Sequence, residues 1–200
     1  MAKISKSKIL GVCGSPRDRN TACMLKTVLA AAGPDHELIL LKDKNIRPCR
    51  ACGGCFHTHK CVVDDDMQEL YAKLAKADIV VLGSPTYFGN VTGLMKNFMD
   101  RCLPLYLAEK LKGKKAALLT VGNFRKGEAR FLDGFDIEVA MNDPVQRKAL
   151  AKPIQKCLAV MESFCRDHMM MRMAGKVMAI NSDPKSKNKE LVKLGRKLCA

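Results

Sequence analysis

The sequence predicts an open, doubly wound α/β sheet of five parallel strands in the order 2-1-3-4-5. Three observations carry that expectation. Short apolar runs alternate with segments of helical period, as strands joined by crossover helices do. The run "ADIVVLGSP" (77–85) is almost continuously apolar and β-branched, which suits a central parallel strand covered on both faces. The first apolar run and this one both end in Gly-Ser-Pro, which sets similar turns at the carboxyl ends of the first and third strands, where such sheets bind ligands.

The elements follow in order. "KILGVCGS" (8–15) reads as the first strand. "NTACMLKTVLAAAG" then places Ala22, Leu25, Val28, Leu29 and Ala32 at helical spacing, with Asn20 or Thr21 as the cap and Gly33-Pro34 as the stop. "HELILL" (36–41) is the second strand, and a long cysteine-rich loop (45–63) follows it. Asp64, Asp65 and Asp66 open a helix with Met67, Leu70, Leu74 and Ala77 on its apolar face, where acids complement the dipole and no catalytic role is needed. After the third strand comes a helix over "GLMKNFMDRCL", then a fourth strand, "KKAALLTVGN" (114–123). Residues 124–143 look irregular, as a loop or lid. Asp143-Pro144 begins a long helix to about residue 168 that Pro153 is expected to bend, "GKVMAI" (175–180) is a fifth strand, and Lys187 to Leu198 a closing helix.

Two hundred residues with 48% hydrophobic content suffice for one well-buried domain, so residues 1–200 are read as a single unit. The apolar stretch at the start is too short for a signal or membrane segment, so a cytoplasmic protein without membrane association is expected. Ten cysteines in such a chain point to metal or redox chemistry rather than a disulfide framework. The six scattered ones, Cys13, Cys23, Cys102, Cys157, Cys165 and Cys199, mostly fall on apolar positions and read as small buried hydrophobes. A net charge of +15 attracts polyanions, among them nucleic acid, acidic proteins and phosphorylated cofactors. Without an arginine-rich arm or interleaved aromatics, nucleic acid is not the expected partner.

Three motifs carry chemistry. In "GSPRDRNTACM" (14–24) small residues, the hydroxyls of Ser15 and Thr21, the charge of Arg17 and a helix start near Asn20 form a seat for one terminal phosphate. It is neither a dinucleotide fingerprint nor a P-loop, and taken alone it is equally an ordinary strand-to-helix turn. In "GSPTYFGNVTG" (83–93) Tyr87 and Phe88 stand between Pro85 and Gly89-Asn90, so that the aromatics can pack on a planar ligand while backbone from Thr86 to Asn90 meets its edge. Taken alone, this loop could equally fold its aromatics back onto the core. Their pairing at the two framing strand ends favours flavin mononucleotide (FMN).

The cysteine stretch is the most specific signal. Overlapping C-x2-C-x2-C spacing brings Cys49, Cys52 and Cys55 round a compact object, and Cys61 can close a fourth corner. A zinc ribbon usually separates its two knuckles by fifteen or more residues, so the spacing favours a 4Fe–4S cluster over zinc or unmetallated thiols. Gly53-Gly54 gives the backbone the freedom such a wrap needs. His57 and His59 read as surface or supporting groups. Arg47, Arg50 and Lys60 would offset cluster charge and face an acidic donor.

At these residues the chain resembles the iron-sulfur flavoproteins of anaerobic archaea and bacteria, a branch of the NADPH-dependent FMN reductase-like, flavodoxin-like superfamily. "GVCGSPRDRNTACML" resembles its phosphate loop, "CRACGGCFHTHKC" its cluster motif and "GSPTYFGNVTGLMKNFMDR" its flavin-ring segment. The resemblance implies a flavodoxin-like fold, FMN and a 4Fe–4S cluster in each subunit, ferredoxin as electron donor, and a homodimer or dimer of dimers in which a cluster lies near a neighbouring subunit's flavin. Cys49, Cys52, Cys55 and Cys61 take the cluster-ligand places; Ser15, Arg17, Asn20 and Thr21 match the phosphate loop; Pro85 to Asn90 match the ring segment. One stretch departs: where many relatives carry a Gly-Gly-Gln-Glu-like segment after the fourth strand, "VGNFRKGEARF" has Gly122, Gly127 and Glu128 in loosely similar places. Gly122 is counted with the flavin contacts.

The expected function is electron transport, from ferredoxin through the cluster and FMN to an acceptor. Two alternatives are an NAD(P)H-dependent FMN or quinone reductase whose cysteine loop is vestigial or zinc-bound, and a basic nucleic-acid-binding protein using that loop as a zinc knuckle.

Overall fold

The computed structural model describes residues 7–122, 142–180 and 184–199. Along the chain run β1 (Ile9–Cys13), α1 (Asn20–Ala32), β2 (His36–Leu40), α2 (Cys55–Thr58), α3 (Met67–Lys76), β3 (Ile79–Pro85) and α4 (Gly93–Arg101). They are followed by α5 (Leu103–Leu107), β4 (Lys115–Gly122), α6 (Pro144–Ser163), β5 (Arg172–Ile180) and α7 (Asn188–Leu198). The strands pair in parallel, in the order β2-β1-β3-β4-β5 that the sequence predicts. The irregular stretch 124–143, with Gly127 and Glu128, lies outside the described residues up to residue 141.

The sheet is covered on both faces because its central strands are apolar on both. Leu10, Val12, Val80, Leu82, Ala116 and Leu118 pack with residues of α3, α4 and α6. Ile9, Cys13, Ile79, Val81, Ala117 and Leu119, the alternate positions, pack with α1 and α7. That two-sided burial is what the unbroken run of β3 encodes.

Several boundaries differ from the sequence reading. The first helix is preceded by Arg19 at its N-cap, with no side-chain cap; Asn20 is already helical and Thr21 is buried. The expected helix 93–103 is two, because Pro104 has no N–H to give and its ring cannot follow the preceding turn, so the chain breaks at Cys102. The loop after β2 contains the one-turn helix α2. The fifth strand starts three residues early, at Arg172, with a register irregularity opposite Ala116 and Ala117. It is an edge strand with half-exposed residues, so its start lacks an apolar signature. The long helix ends at Ser163 and continues as a π-turn from Phe164 to His168. Asp143 caps that helix as expected, accepting from Val145 and Gln146 N–H at 2.7 and 3.1 Å. Of the scattered cysteines, Cys13, Cys102, Cys157 and Cys165 are buried and Cys199 half-buried, whereas Cys23 is exposed on the outer side of α1.

The ends of β1 and β3 are closed against each other. Gly14 N–H donates to Gly83 C=O at 2.8 Å, and Thr92, the side-chain cap of α4, donates its hydroxyl to Gly14 C=O at 2.6 Å. Thr92 N–H in turn donates to Ser84 Oγ at 3.1 Å. There is no room here for a larger first residue: a β-carbon on Gly14 would lie 2.6 Å from Met95 Cβ. Gly14→Ala is therefore expected to destabilise the fold by about 1 to 3 kcal/mol, seen as a lower denaturation midpoint at unchanged slope. An unchanged midpoint would mean that α4 is not seated against this turn.

Candidate functional site

Both chemical motifs sit at the carboxyl edge of the sheet, where the strand order reverses. On the β1 side, the Ser15 hydroxyl donates to Arg17 C=O at 2.7 Å and accepts from Arg17 N–H at 3.2 Å, folding the turn back on itself. Arg17 is exposed, Asn20 half-buried, and Thr21 buried with its methyl against Gly83. The turn thus places Arg17 and Asn20 at the open end of α1, while Ser15 and Thr21 are buried.

On the β3 side, Tyr87 and Asn90 exchange both backbone hydrogen bonds at 2.9 Å, closing a tight turn with Phe88 and Gly89 in the left-handed region (φ 49° and 74°). This two-residue connection resembles a primed hairpin turn, which demands such dihedrals. Phe88 is fully exposed and Tyr87 is 42% exposed, so the aromatics do not fold back onto the core. An open cavity of about 660 Å³ lies here, lined by Thr86, Phe88, Gly89 and Gly122 on the sheet side and by Lys152 to Lys156 and Ala159 on α6. Thr86, Phe88, Gly89 and Gly122 of the predicted flavin contacts therefore share one space; Pro85, Tyr87 and Asn90 stand beside it in the same loop, and the phosphate-loop residues do not line it. The α6 wall carries no motif in the sequence, and its lysines join the cavity only through the packing of α6.

The four cysteines of the loop after β2 are brought together. Cys49, Cys52, Cys55 and Cys61 all border one more enclosed cavity of about 240 Å³, with Phe56, Val62, Leu103 and Pro104 among its apolar lining. Cys49 and Cys52 are exposed; Cys55 and Cys61 are half-buried. Ala51, Gly53 and His59 have positive φ (50°, 75° and 53°), so the chain bends sharply three times within nine residues. Gly53 needs its freedom for that reason; at Gly54 a β-carbon would instead press on Val62 Cγ1 at 3.2 Å. Among the described residues no three metal-ligating groups converge on a single point. The thiols ring a space instead.

Beneath that ring is a group that sequence reasoning missed. Arg101, at the end of α4, is 1% exposed and its side chain borders the cysteine cavity. Its Nη1 and Nη2 hold Asp65 at 2.6 and 3.0 Å, and Nη1 also donates to Arg47 C=O at 2.6 Å. The Asp65 carboxylate, fully buried, further accepts from Arg47 N–H at 2.9 Å and from Met67 N–H at 3.0 Å. The aspartate cluster does cap α3 through Asp65, but Asp65 also anchors the base of the cysteine loop. Tyr71 donates to Arg101 C=O at 2.6 Å. Burial by itself pushes the Cys61 thiol up; the Val63 amide, the Tyr71 hydroxyl and the Arg101 guanidinium outweigh it and hold the pKa below the ordinary thiol value. Burial and the neighbouring thiols push Cys55 the other way.

The aromatic turn leads into α4. That helix is capped by Thr92, locked to the strand ends, and finishes at Arg101 against the cysteines. At the ordinary rise of a helix, that span is about 13 Å.

Comparison with known proteins bears on both sites. A family model described as NADPH-dependent FMN reductase matches residues 7–135, covering the phosphate turn, the cysteine loop and the aromatic turn together. The chain belongs to the NADPH-dependent FMN reductase family. Its relatives within that family include iron-sulfur flavoproteins: one from Methanocaldococcus jannaschii is 39% identical over 124 residues, 60% of this chain and 64% of that protein. Another, from Archaeoglobus fulgidus, is 35% identical over 62% of this chain and 63% of its own length. The match therefore spans a little under two thirds of those relatives. Solved structures agree on the fold: a WrbA-like flavodoxin from Agrobacterium tumefaciens superposes with a TM-score of 0.59 at 16% identity, covering 96% of this chain and 95% of that one. Megasphaera elsdenii flavodoxin does so with a TM-score of 0.55 at 18% identity, covering 96% and 98%. This member of the FMN reductase family has a flavodoxin-like fold.

Proposed function

We propose that this FMN reductase family member is an electron-transport flavoprotein that binds FMN at the β3 turn and a 4Fe–4S cluster at the cysteine loop, and takes its electrons from an acidic, ferredoxin-like donor. The observation that carries the reading is a cavity bordered by all four loop thiols in a chain that also holds a second cavity, lined by Thr86, Phe88 and Gly89 of the β3 turn. A single zinc ion would draw four thiolates to about 2.3 Å from one point; a space of about 240 Å³ bordered by all four fits a polynuclear group better. Bound together, the two cofactors would supply one- and two-electron redox chemistry.

The protein's own groups do the rest. Cys49, Cys52, Cys55 and Cys61 provide four thiolates, and Arg101 offsets part of their charge from below. Phe56 and Val62, both exposed, stand at the cavity with Arg50, and Arg47 and Lys60 are near in sequence. A small apolar contact with a basic surround suits an acidic partner. The resemblance extends the proposal to a cytoplasmic homodimer or dimer of dimers. Among the described residues, no helix is long and apolar enough to cross a membrane.

A second reading, direct reduction by NAD(P)H, is favoured by the family and by Lys152 and Lys156 on the wall of the larger cavity, which suit an anionic nucleotide. Anaerobic stopped-flow mixing separates the two. Rapid flavin bleaching by reduced ferredoxin, with NADPH slow, is the expected result; the reverse order of rates would replace the first reading with the second.

Phe88 offers a local check. Its exposure means that its removal costs the fold little, whereas loss of aromatic packing on the flavin ring is worth about 0.5 to 1.5 kcal/mol. Phe88→Ala is expected to raise the Kd for FMN by about 2- to 12-fold, measured by fluorescence quenching, at unchanged melting temperature.

A further inference from the structure

We infer that Arg101 is a positioning residue for the cysteine site: anchored by Asp65, it holds a fixed cation and a spare N–H at the four-thiol cavity, which strengthens retention of the cluster and raises its reduction potential. The inference rests on the cluster reading of the cysteine loop.

The argument begins with donor bookkeeping. A guanidinium has five N–H groups in a rigid fork. Four are directed at Asp65, Arg47 C=O and, more distantly at 3.5 Å, Val63 C=O. The remaining donor, Nε, is buried and has no hydrogen-bond partner, the one side-chain polar atom so placed among the described residues. Buried donors are almost always satisfied, and an orphan is usually aimed at something absent. This one belongs to a side chain that borders the four-thiol cavity. Arg101 and Cys61 line the same cavity, with Val63 and Asp100 beside them.

A purely structural staple explains less. Pinning Arg47, Val63 and Asp65 together accounts for Nη1 and Nη2, but a lysine or neutral donor could pin the loop without a buried, unsatisfied Nε. The anchoring is strong: Asp65 makes four hydrogen bonds, two of them to backbone amides at either end of the loop. That fixes the guanidinium and limits how far it can move when charge nearby changes. Reduction by one electron adds one negative charge at the site, with no bond made or broken, and a fixed adjacent cation favours the more negative form. Partners just outside the ligand shell also orient the ligands, and losing one typically costs about 10- to 100-fold in metal affinity.

The test uses full-length protein, purified and reconstituted anaerobically with ferrous iron and sulfide, then titrated with dithionite and followed by electron paramagnetic resonance. Arg101→Gln should weaken iron retention against a chelator by about 10- to 100-fold, and the cluster that remains should titrate at a lower potential than in the wild type. Arg101→Lys, which keeps the charge and loses the fork, should restore most of the potential but not the retention. Because Arg101→Gln leaves Asp65 without its partner, the pair Asp65→Asn/Arg101→Gln is made alongside; it removes both buried charges, so the loss of retention should persist while the fall in potential is smaller than in Arg101→Gln alone. If wild-type protein takes up no iron, the cluster reading itself falls, and this inference with it. If the wild type is loaded and both Gln-containing variants keep its potential and its iron, Arg101 is structural only and the cluster reading stands.

Discussion

Replacing Cys52 and Cys55 together with serine is expected to strip nearly all iron and sulfide from anaerobically reconstituted protein and to leave its FMN content unchanged. Both residues border the cysteine cavity, one exposed and one half-buried, so their hydroxyl replacements leave no hole in a packed core. Stability should stay within about 0.5 kcal/mol of the native chain. The chemical loss is large because a 4Fe–4S cluster takes four thiolates, and two would remain. FMN is spared because none of its expected contacts borders the cysteine cavity. Iron assay, sulfide assay and flavin absorbance on one sample give all three quantities. Full retention of iron by the double variant would remove the cysteine loop as the metal site.

Asp65→Ala should be the most destabilising single change at the cysteine site. It leaves Arg101, 1% exposed, as an uncompensated buried cation, a loss of about 3 to 5 kcal/mol. It also deprives the amides of Arg47 and Met67 of their acceptor. The sign of the accompanying pH dependence follows from the carboxyl group. Burial raises its pKa, but Arg101 and then the two amides outweigh it and hold the folded value below the ordinary 3.8. A depressed folded pKa means that the stabilisation is complete above the unfolded carboxyl pKa of about 3.9 and is lost as the pH falls toward the folded value. The stability gap between wild type and Asp65→Asn should therefore be flat near neutrality and narrow below about pH 4. A gap that stays constant down to acid pH would show that Asp65 is not ionised in the folded protein.

The fold was legible because its signals are local. The apolar run of β3, the helical spacing of Ala22, Leu25, Val28 and Leu29, and the Asp143-Pro144 start of α6 each announce an element within a few residues. The cysteine loop was legible for the same reason: its spacing is itself the motif. Breaks set by one proline, as at Pro104, were open to the same reasoning but passed over, and so was the Thr92 cap, a threonine just before an apolar helical run. The Arg101–Asp65 pair was not legible. The partners are 36 residues apart, and each sits where a charge has an ordinary explanation, an acid at the start of α3 and a base at the end of α4. Burial, which distinguishes them from surface charges, is a property of the packed sheet. The α6 wall of the larger cavity was hidden for a similar reason, since Lys152 and Lys156 gain meaning only when α6 lies across from Gly89.

The most direct test of the two-cofactor account is the absorbance spectrum of protein purified without exposure to air, with iron, acid-labile sulfide and FMN measured on the same sample. The account predicts about four irons and four sulfides per chain beside one FMN. Bound flavin with no iron, in protein never exposed to oxygen, would contradict it and leave a flavin reductase whose cysteine loop carries no cluster.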